Sequence, residues 1–404
     1  MNTVLHNSLP SPRPGRRHDL DWLRVLAILL LHLFHTGMIF VSWGWHIKGE
    51  HLPVLELPMA FMGRWRMPLL FLISGVGTTF ALGFRSPLSY IKERHKRLLI
   101  PVIMGMFLIV PPQIYYERLF RGQSFASYGD FYGTVLQLVP YPQGNFSWHH
   151  LWFVVYLLVY SMLALPLFLW LRKGRGAAAL TRFRTFLGKG FWIYALAAPL
   201  ALLEVWLRKD WPTTHNLVRD WANFAFHFLL FVYGFLLGTS PAMWQAIERL
   251  RGVSLSIGIA VLLVLAPDDG FVYPVEVGLH SLLTWFWVLA IMGYAKHHLQ
   301  FRNRFLEYAN EGIYPFYILH QTAIVAIGFY VIRWPLGPWT QFVVVCLASF
   351  AASVLVYEVF VRRFNLMRVL FGMKPRTRAS RQRTAAESVS QTGQEATWQG
   401  AAEA

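Results

Sequence analysis

Apolar runs of about 20 residues, each long enough to cross a hydrocarbon layer as a helix, recur between residues 19 and 361. Inside lipid a spanning segment must satisfy its own backbone polar groups, which leaves helices or closed barrels. The alternating apolar and polar pattern of a membrane barrel is absent, so the expected fold is all-α: a polytopic membrane helical bundle. Ten spans can be drawn, at about 19–41, 58–84, 98–116, 149–171, 190–207, 221–239, 252–267, 275–295, 312–332 and 337–361. Lys and Arg test that count. With both termini cytoplasmic, 27 of the 37 basic residues fall in inner segments and 7 in outer ones, the asymmetry of the positive-inside rule. An odd number of spans would scramble it. About ten transmembrane helices are therefore expected, with a cytoplasmic basic tail at 1–18, the transmembrane domain at 19–361, and a basic, mostly disordered cytoplasmic tail at 362–404.

Charge and cysteine content narrow the class further. A net charge of +17 in a soluble chain would suggest nucleic acid. Here the charges sit between apolar spans, so topology accounts for them and the expected partner is the lipid bilayer, with no nucleic acid. The single cysteine, Cys346, excludes an intrachain disulfide. The first apolar run is too long for the core of a cleaved signal and is expected to stay in the mature protein. No internal repeat of the kind built into many transporters is visible. No nucleotide-binding glycine loop, Gly-x-Ser-x-Gly elbow, HExxH or other metal-ligand spacing occurs. No bound cofactor or metal is expected, and any energy input must arrive with the substrate.

The first span carries Arg24 at its entrance and His32 and His35 about halfway along. Arg24 and His35 are eleven residues apart, roughly 16 Å along a helix, and face the same side to within about 20°. Ionisable groups at that depth either line a site or hydrogen-bond neighbouring helices. Arg66, at the outer end of the second span, either snorkels to headgroups or binds an anionic or sugar acceptor. Ser74, Gly75 and Gly77 suit close helix packing. In the segment Tyr90–Pro101, Arg94 and Arg97 lie one turn apart; topology explains such a patch, and so does binding of donor phosphates. His149 and His150 open the fourth span beside Trp148 and Trp152, at an aromatic belt or at the outer mouth of a site. Tyr317 and His320 share a face of the ninth span, with Pro315 expected in its first turn. His227, His280 and Glu358 are expected to make interhelical hydrogen bonds. The outer loop 117–148 is a lid or a substrate surface.

Taken in order, Arg24 to His35, Phe71-Leu-Ile-Ser74-Gly75, Arg94-His-Lys-Arg97 and Tyr317-Ile-Leu-His320 resemble the motif set of the acyltransferase-3 family of integral membrane acyltransferases. Arg66-Met-Pro, His150-Leu-Trp-Phe and Tyr314-Pro-Phe-Tyr-Ile-Leu-His-Gln are most similar to its glucan biosynthesis protein C branch, whose members succinylate periplasmic glucans. Phe-Val-Val-Tyr replaces the Glu-Glu-Gln run that follows His-Leu-Trp in many O-antigen acetylases, which leaves the acceptor open. The resemblance implies an O-acyltransferase in the bacterial cytoplasmic (inner) membrane. It would move an acetyl or succinyl group from cytosolic acyl-CoA, a co-substrate, to a hydroxyl of an extracytoplasmic glycan or related acceptor. His35 and Arg24 would be catalytic and Arg94 and Arg97 donor-binding. Arg66, His149, His150, Tyr317 and His320 would meet the acceptor or support the site. His35 would act as base or pass through an acyl-imidazole, both open at this point. The alternative is a proton-coupled transporter or flippase of an acylated or anionic solute. Transfer requires His35 to be reachable from the arginines below it.

Overall fold

The computed structural model describes residues 16–265 and 271–376. The start of the C-terminal tail, expected to be mostly disordered, is instead ordered and carries a short helix, Asn365–Leu370. Of the expected tails, residues 1–15 and 377–404 lie outside the described residues, as do 268–270 of the outer connection at 268–274. Among those described, the chain is all-helical with no β-strand. Six helices are long and apolar enough to cross a membrane, or eight if each of two bent pairs counts as one span. The helices that position the site are α1 (His18–Gly37), α2 (Glu56–Phe84), α3 (Pro87–Phe120), α4 (His149–Leu163), α5 (Trp221–Leu237), α6 (Tyr273–His298), α7 (Arg304–Val331) and α8 (Pro338–Val361). Both α4 and a later helix, Arg251–Leu265, are apolar but short.

Helix boundaries follow from local chemistry. Asp19 and Asp21 occupy the first turn of α1, where the helix dipole favours negative charge. The helix stops at Gly37, four residues before the expected end, which puts His35 in its last turn instead of halfway along. The reason lies in the following loop. Lys48 Nζ donates to the carbonyl oxygens of Met38 (2.8 Å), Val41 and Trp43 (2.6 Å), while Gly49 N–H and Leu52 N–H donate to Ile39 and Phe40. Met38 to Val41 are therefore buried as a folded-back plug over the end of the bundle.

The basic segment 85–97, expected as a loop, is largely helical and continuous with the third span. Ser86 caps its start, accepting from Ser89 N–H at 3.3 Å, with Pro87 at the first position. Two π-helical turns, His95–Leu99 and Gly105–Ile109, precede Pro101 and Pro111. A proline cannot donate to the carbonyl four residues back and crowds it, so the helix widens there. Both released carbonyls find tyrosines: Tyr314 Oη donates to Arg97 O (3.1 Å) and Tyr132 Oη to Phe107 O (3.0 Å). Two further helices, Gly174–Leu187 and Pro241–Arg249, fold at 115° and 109° to Trp192–Leu207 and α5. They occupy segments expected as inner connections. Because α7 starts at Arg304, capped by Asn303, Pro315 is in the helix interior and not its first turn.

Packing separates the small residues of α2. A Cβ on Gly75 would lie 2.0 Å from Phe231 O of α5, and one on Gly234 of α5 would lie 1.9 Å from Leu72 O. Gly77 has nothing within 4 Å of such a Cβ. Gly75→Ala is therefore expected to destabilise the protein by about 1–3 kcal/mol through overpacking, whereas Gly77→Ala leaves stability unchanged. Thermal melts of the purified variants check both.

Candidate functional site

The α1 and α7 helices pack side by side, with α8 against both, and this juxtaposition brings His35 onto His320. His35 Nδ1 and His320 Nε2 are 2.9 Å apart, and the rings are inclined by only 6°. His320 is fully buried, and its Nδ1 lies 2.6 Å from the carbonyl oxygen of Tyr317. A carbonyl can only accept, so His320 Nδ1 carries the proton. In a neutral ring that makes His320 Nε2 the acceptor. His35 Nδ1 must then be the donor, and the lone pair of His35 is left on Nε2. The second histidine thus fixes the tautomer of the first.

His150 and Tyr317 complete the surroundings. His150 Nε2 donates to Ile318 O (3.0 Å), and its Nδ1 accepts from Gln113 (3.3 Å). Tyr317 Oη donates to the carbonyl of His150. The His150 and His320 ring centres are 5.5 Å apart. On the other side Trp45, from the plug after α1, lies 6.1 Å from the His35 ring. Arg66 is buried beside this group, its guanidinium 4.1 Å over the ring of Phe34, whose ring centre is 5.6 Å from that of His35. Its Nε and Nη1 have no hydrogen-bond partner among the described residues. Of the two readings open from sequence, snorkelling to headgroups does not fit this burial.

Toward the end of the bundle that carries the 85–97 segment, a cavity of about 480 Å³ opens. Arg24, Arg85, Arg94 and Arg97 line its mouth, with Glu93 the one acidic residue on the wall; deeper in come Ile28, Leu70, Phe153 and Tyr317. Arg24 contacts Asp21 at 3.4 Å, Arg94 donates to Thr78 (3.3 Å), and Glu93 is shared between Arg85 (2.7 Å) and Arg97 (3.2 Å). Four arginines against two carboxylates, Asp21 and Glu93, leave two net positive charges at the opening. The arrangement suits an anionic group at the rim and an apolar arm within.

The residues singled out from sequence fall into two groups. His35, His320, His150, Tyr317 and Arg66 come together. Arg24, Arg94 and Arg97 come together elsewhere, with Arg24 roughly three helical turns from His35. Neither His35 nor His320 is part of the cavity wall, which ends at Tyr317, one turn short of His320. The cavity onto which the arginines open thus includes Leu70 and Tyr317 on its wall but does not extend to His35. His149 stands apart from the pair, stacked on His46.

His32, buried, makes the interhelical contact, Nε2 to Cys346 O of α8 at 3.0 Å. His227 instead bonds Asn223 O of its own helix, and Glu358 pairs with Arg362 one turn on. His280 does reach another helix, through Arg64 at 3.1 Å. Arg85, Gln113, His46 and Glu117 were not singled out. A lone Glu at the end of an apolar span was the one available signal. A second polar cavity of about 210 Å³, walled by Arg64, Glu204, Arg208, His215, His227 and His280, was also missed because its residues come from four separate spans and loops.

A polytopic helical bundle with a polar histidine cluster buried among its spans and a cationic pocket at one end is an integral membrane protein. The chain belongs to the acyltransferase-3 family, whose model, described as an acyltransferase domain, matches residues 17–358; it is a membrane acyltransferase. Curated relatives include the Glucans biosynthesis protein C of Escherichia coli strain K12 and that of strain SMS-3-5 / SECEC. Each is 24% identical to this chain over 90% of its length and 97% of the relative's. No solved structure matches.

Proposed function

We propose that the protein transfers a short acyl group, acetyl or succinyl, from cytosolic acyl-CoA to a hydroxyl of an extracytoplasmic glycan. It would do so in the bacterial cytoplasmic membrane, crossing it ten times with both termini inside, through a transmembrane domain of residues 19–361 flanked by basic tails. The observation that carries this reading is the His35–His320 hydrogen bond, which leaves an unprotonated Nε2 on His35. Names and family support the chemistry: the relatives are called glucan biosynthesis proteins, and family membership favours the enzyme over the transporter reading.

The acceptor hydroxyl oxygen attacks the thioester carbonyl as His35 Nε2 takes its proton. The tetrahedral intermediate then collapses, the C–S bond breaks, and the proton passes from His35 to the departing thiolate. The products are an ester and free CoA. His320 orients the ring and stabilises the imidazolium. Arg66 lies where negative charge gathers on the carbonyl oxygen. Arg24, Arg85, Arg94 and Arg97 hold the donor's phosphates, so Arg24 serves the donor and not the reacting atoms. His150 holds Tyr317, and the thioester arm reaches His35 only when the cavity extends past Tyr317.

Purified protein in lipid vesicles, given acetyl-CoA or succinyl-CoA and a glucan, is expected to yield an acylated glucan detectable by mass spectrometry and cleaved by mild base. No acylated product with either donor, from protein that melts cooperatively, would overturn the proposal.

A further inference from the structure

Outside the His35–His320 pair, three side chains from three segments converge at the plugged end of the bundle. His46 comes from the plug after α1, Glu117 from the last turns of α3, and His149 from the start of α4. One ligand-type atom from each lies within 4.8 Å of those of the other two. Their remaining polar atoms are already engaged. Glu117 Oε1 accepts from Tyr141 Oη (2.7 Å) and Arg121 (2.8 Å), leaving Oε2 toward His46 Nδ1, with which it is in contact. His149 Nδ1 lies 2.7 Å from Ser147 Oγ, leaving its Nε2 buried with no hydrogen-bond partner. His46 Nε2 lies 3.0 Å from the side-chain amide of Gln321.

We infer that His46 Nδ1, Glu117 Oε2 and His149 Nε2 form a binding site for a divalent transition-metal ion of the zinc class. Two imidazole nitrogens, one carboxylate oxygen and an open fourth position make a donor set that zinc accepts. Partners behind each ligand are of the kind that orient metal-bound histidines and carboxylates. Without metal, Gln321 Nε2 donates to His46 Nε2, so the His46 proton sits on Nδ1 toward Glu117. Metal on Nδ1 displaces that proton to Nε2, and Gln321 must then turn its amide oxygen to it and give up its bond to Gln113 Oε1. Arg121 is the one cation in contact with the ligand carboxylate. Through its second oxygen it limits the site's charge without occupying the metal-facing one. The metal would pin the plug, and with it Trp45, over the His35 ring. The ligands are 71 and 32 residues apart and match no short metal-binding spacing.

The full-length protein in detergent, stripped with chelator and reloaded with zinc, is expected to retain about one zinc per chain by elemental analysis and to melt at a higher temperature than the stripped form. Cobalt in its place is expected to give the visible absorption of a low-coordinate site. Glu117→Gln, which keeps the shape of the side chain, and His149→Ala should each lose the bound metal and the melting shift. Failure of folded wild-type protein to take up either metal at micromolar free concentration would overturn the assignment. Retention of the metal by Glu117→Gln and His149→Ala alike would do so too, by placing it on other histidines.

Discussion

His35→Ala is expected to lower kcat for acyl transfer by roughly 10³–10⁴-fold, the contribution typical of a positioned general base, while the KM for the donor changes little. His320 Nε2 is engaged by His35, and both nitrogens of His150 are in hydrogen bonds; His32 also keeps an unpartnered Nδ1, but its ring is packed against Phe316 and Phe350. The two histidines act as one unit, so their losses will not add. A His35→Ala/His320→Ala double variant should be about as slow as His35→Ala alone. His320→Gln offers an amide oxygen to His35 Nδ1–H and should recover part of what His320→Ala loses. Initial rates by mass spectrometry of the acylated product, with thermal melts as a folding control, check all four variants. Additive losses would show that His320 acts independently.

Arg66→Met is expected to move activity and stability in opposite directions. A buried guanidinium without a carboxylate is costly, and its contact with the Phe34 ring offsets only part of that cost. Removing it should leave the melting temperature unchanged or higher. In the transition state the same charge faces a developing oxyanion in a water-poor site, where a lost donor slows reaction on the order of 10²–10³-fold. Kinetics and a melt on one preparation decide the matter. A variant that is both slower and less stable would make Arg66 a packing residue.

Much of this arrangement was legible in the sequence, and what was not has physical reasons. Apolar run length located the helices, because lipid leaves the backbone few options. It could not locate where α1 ends: Met38 to Val41 are as apolar as the helix before them, and only Lys48, ten residues on, shows that their carbonyls turn away from helical partners. Helical periodicity put Tyr317 and His320 on one face. It could not say that the face meets His35, since pairing between helices is a tertiary choice. Nor could a charge count separate Arg66, buried beside the histidines, from Arg64, which sits at the second polar cavity two residues away. The π turns of α3 were in principle readable from Pro101 and Pro111, but the tyrosines that make them tolerable lie elsewhere in the chain.

The two hydrogen-bonded histidines matter only if donor and acceptor meet there from opposite faces of the membrane. Protein in vesicles of single orientation, with radiolabelled acyl-CoA supplied only on the face bearing Arg94 and Arg97 and glucan only on the other, tests this most directly. The expected result is labelled glucan in the compartment that never held the donor, abolished by His35→Ala. Label that appears only when donor and glucan share one compartment, at a rate indifferent to His35→Ala, would contradict it.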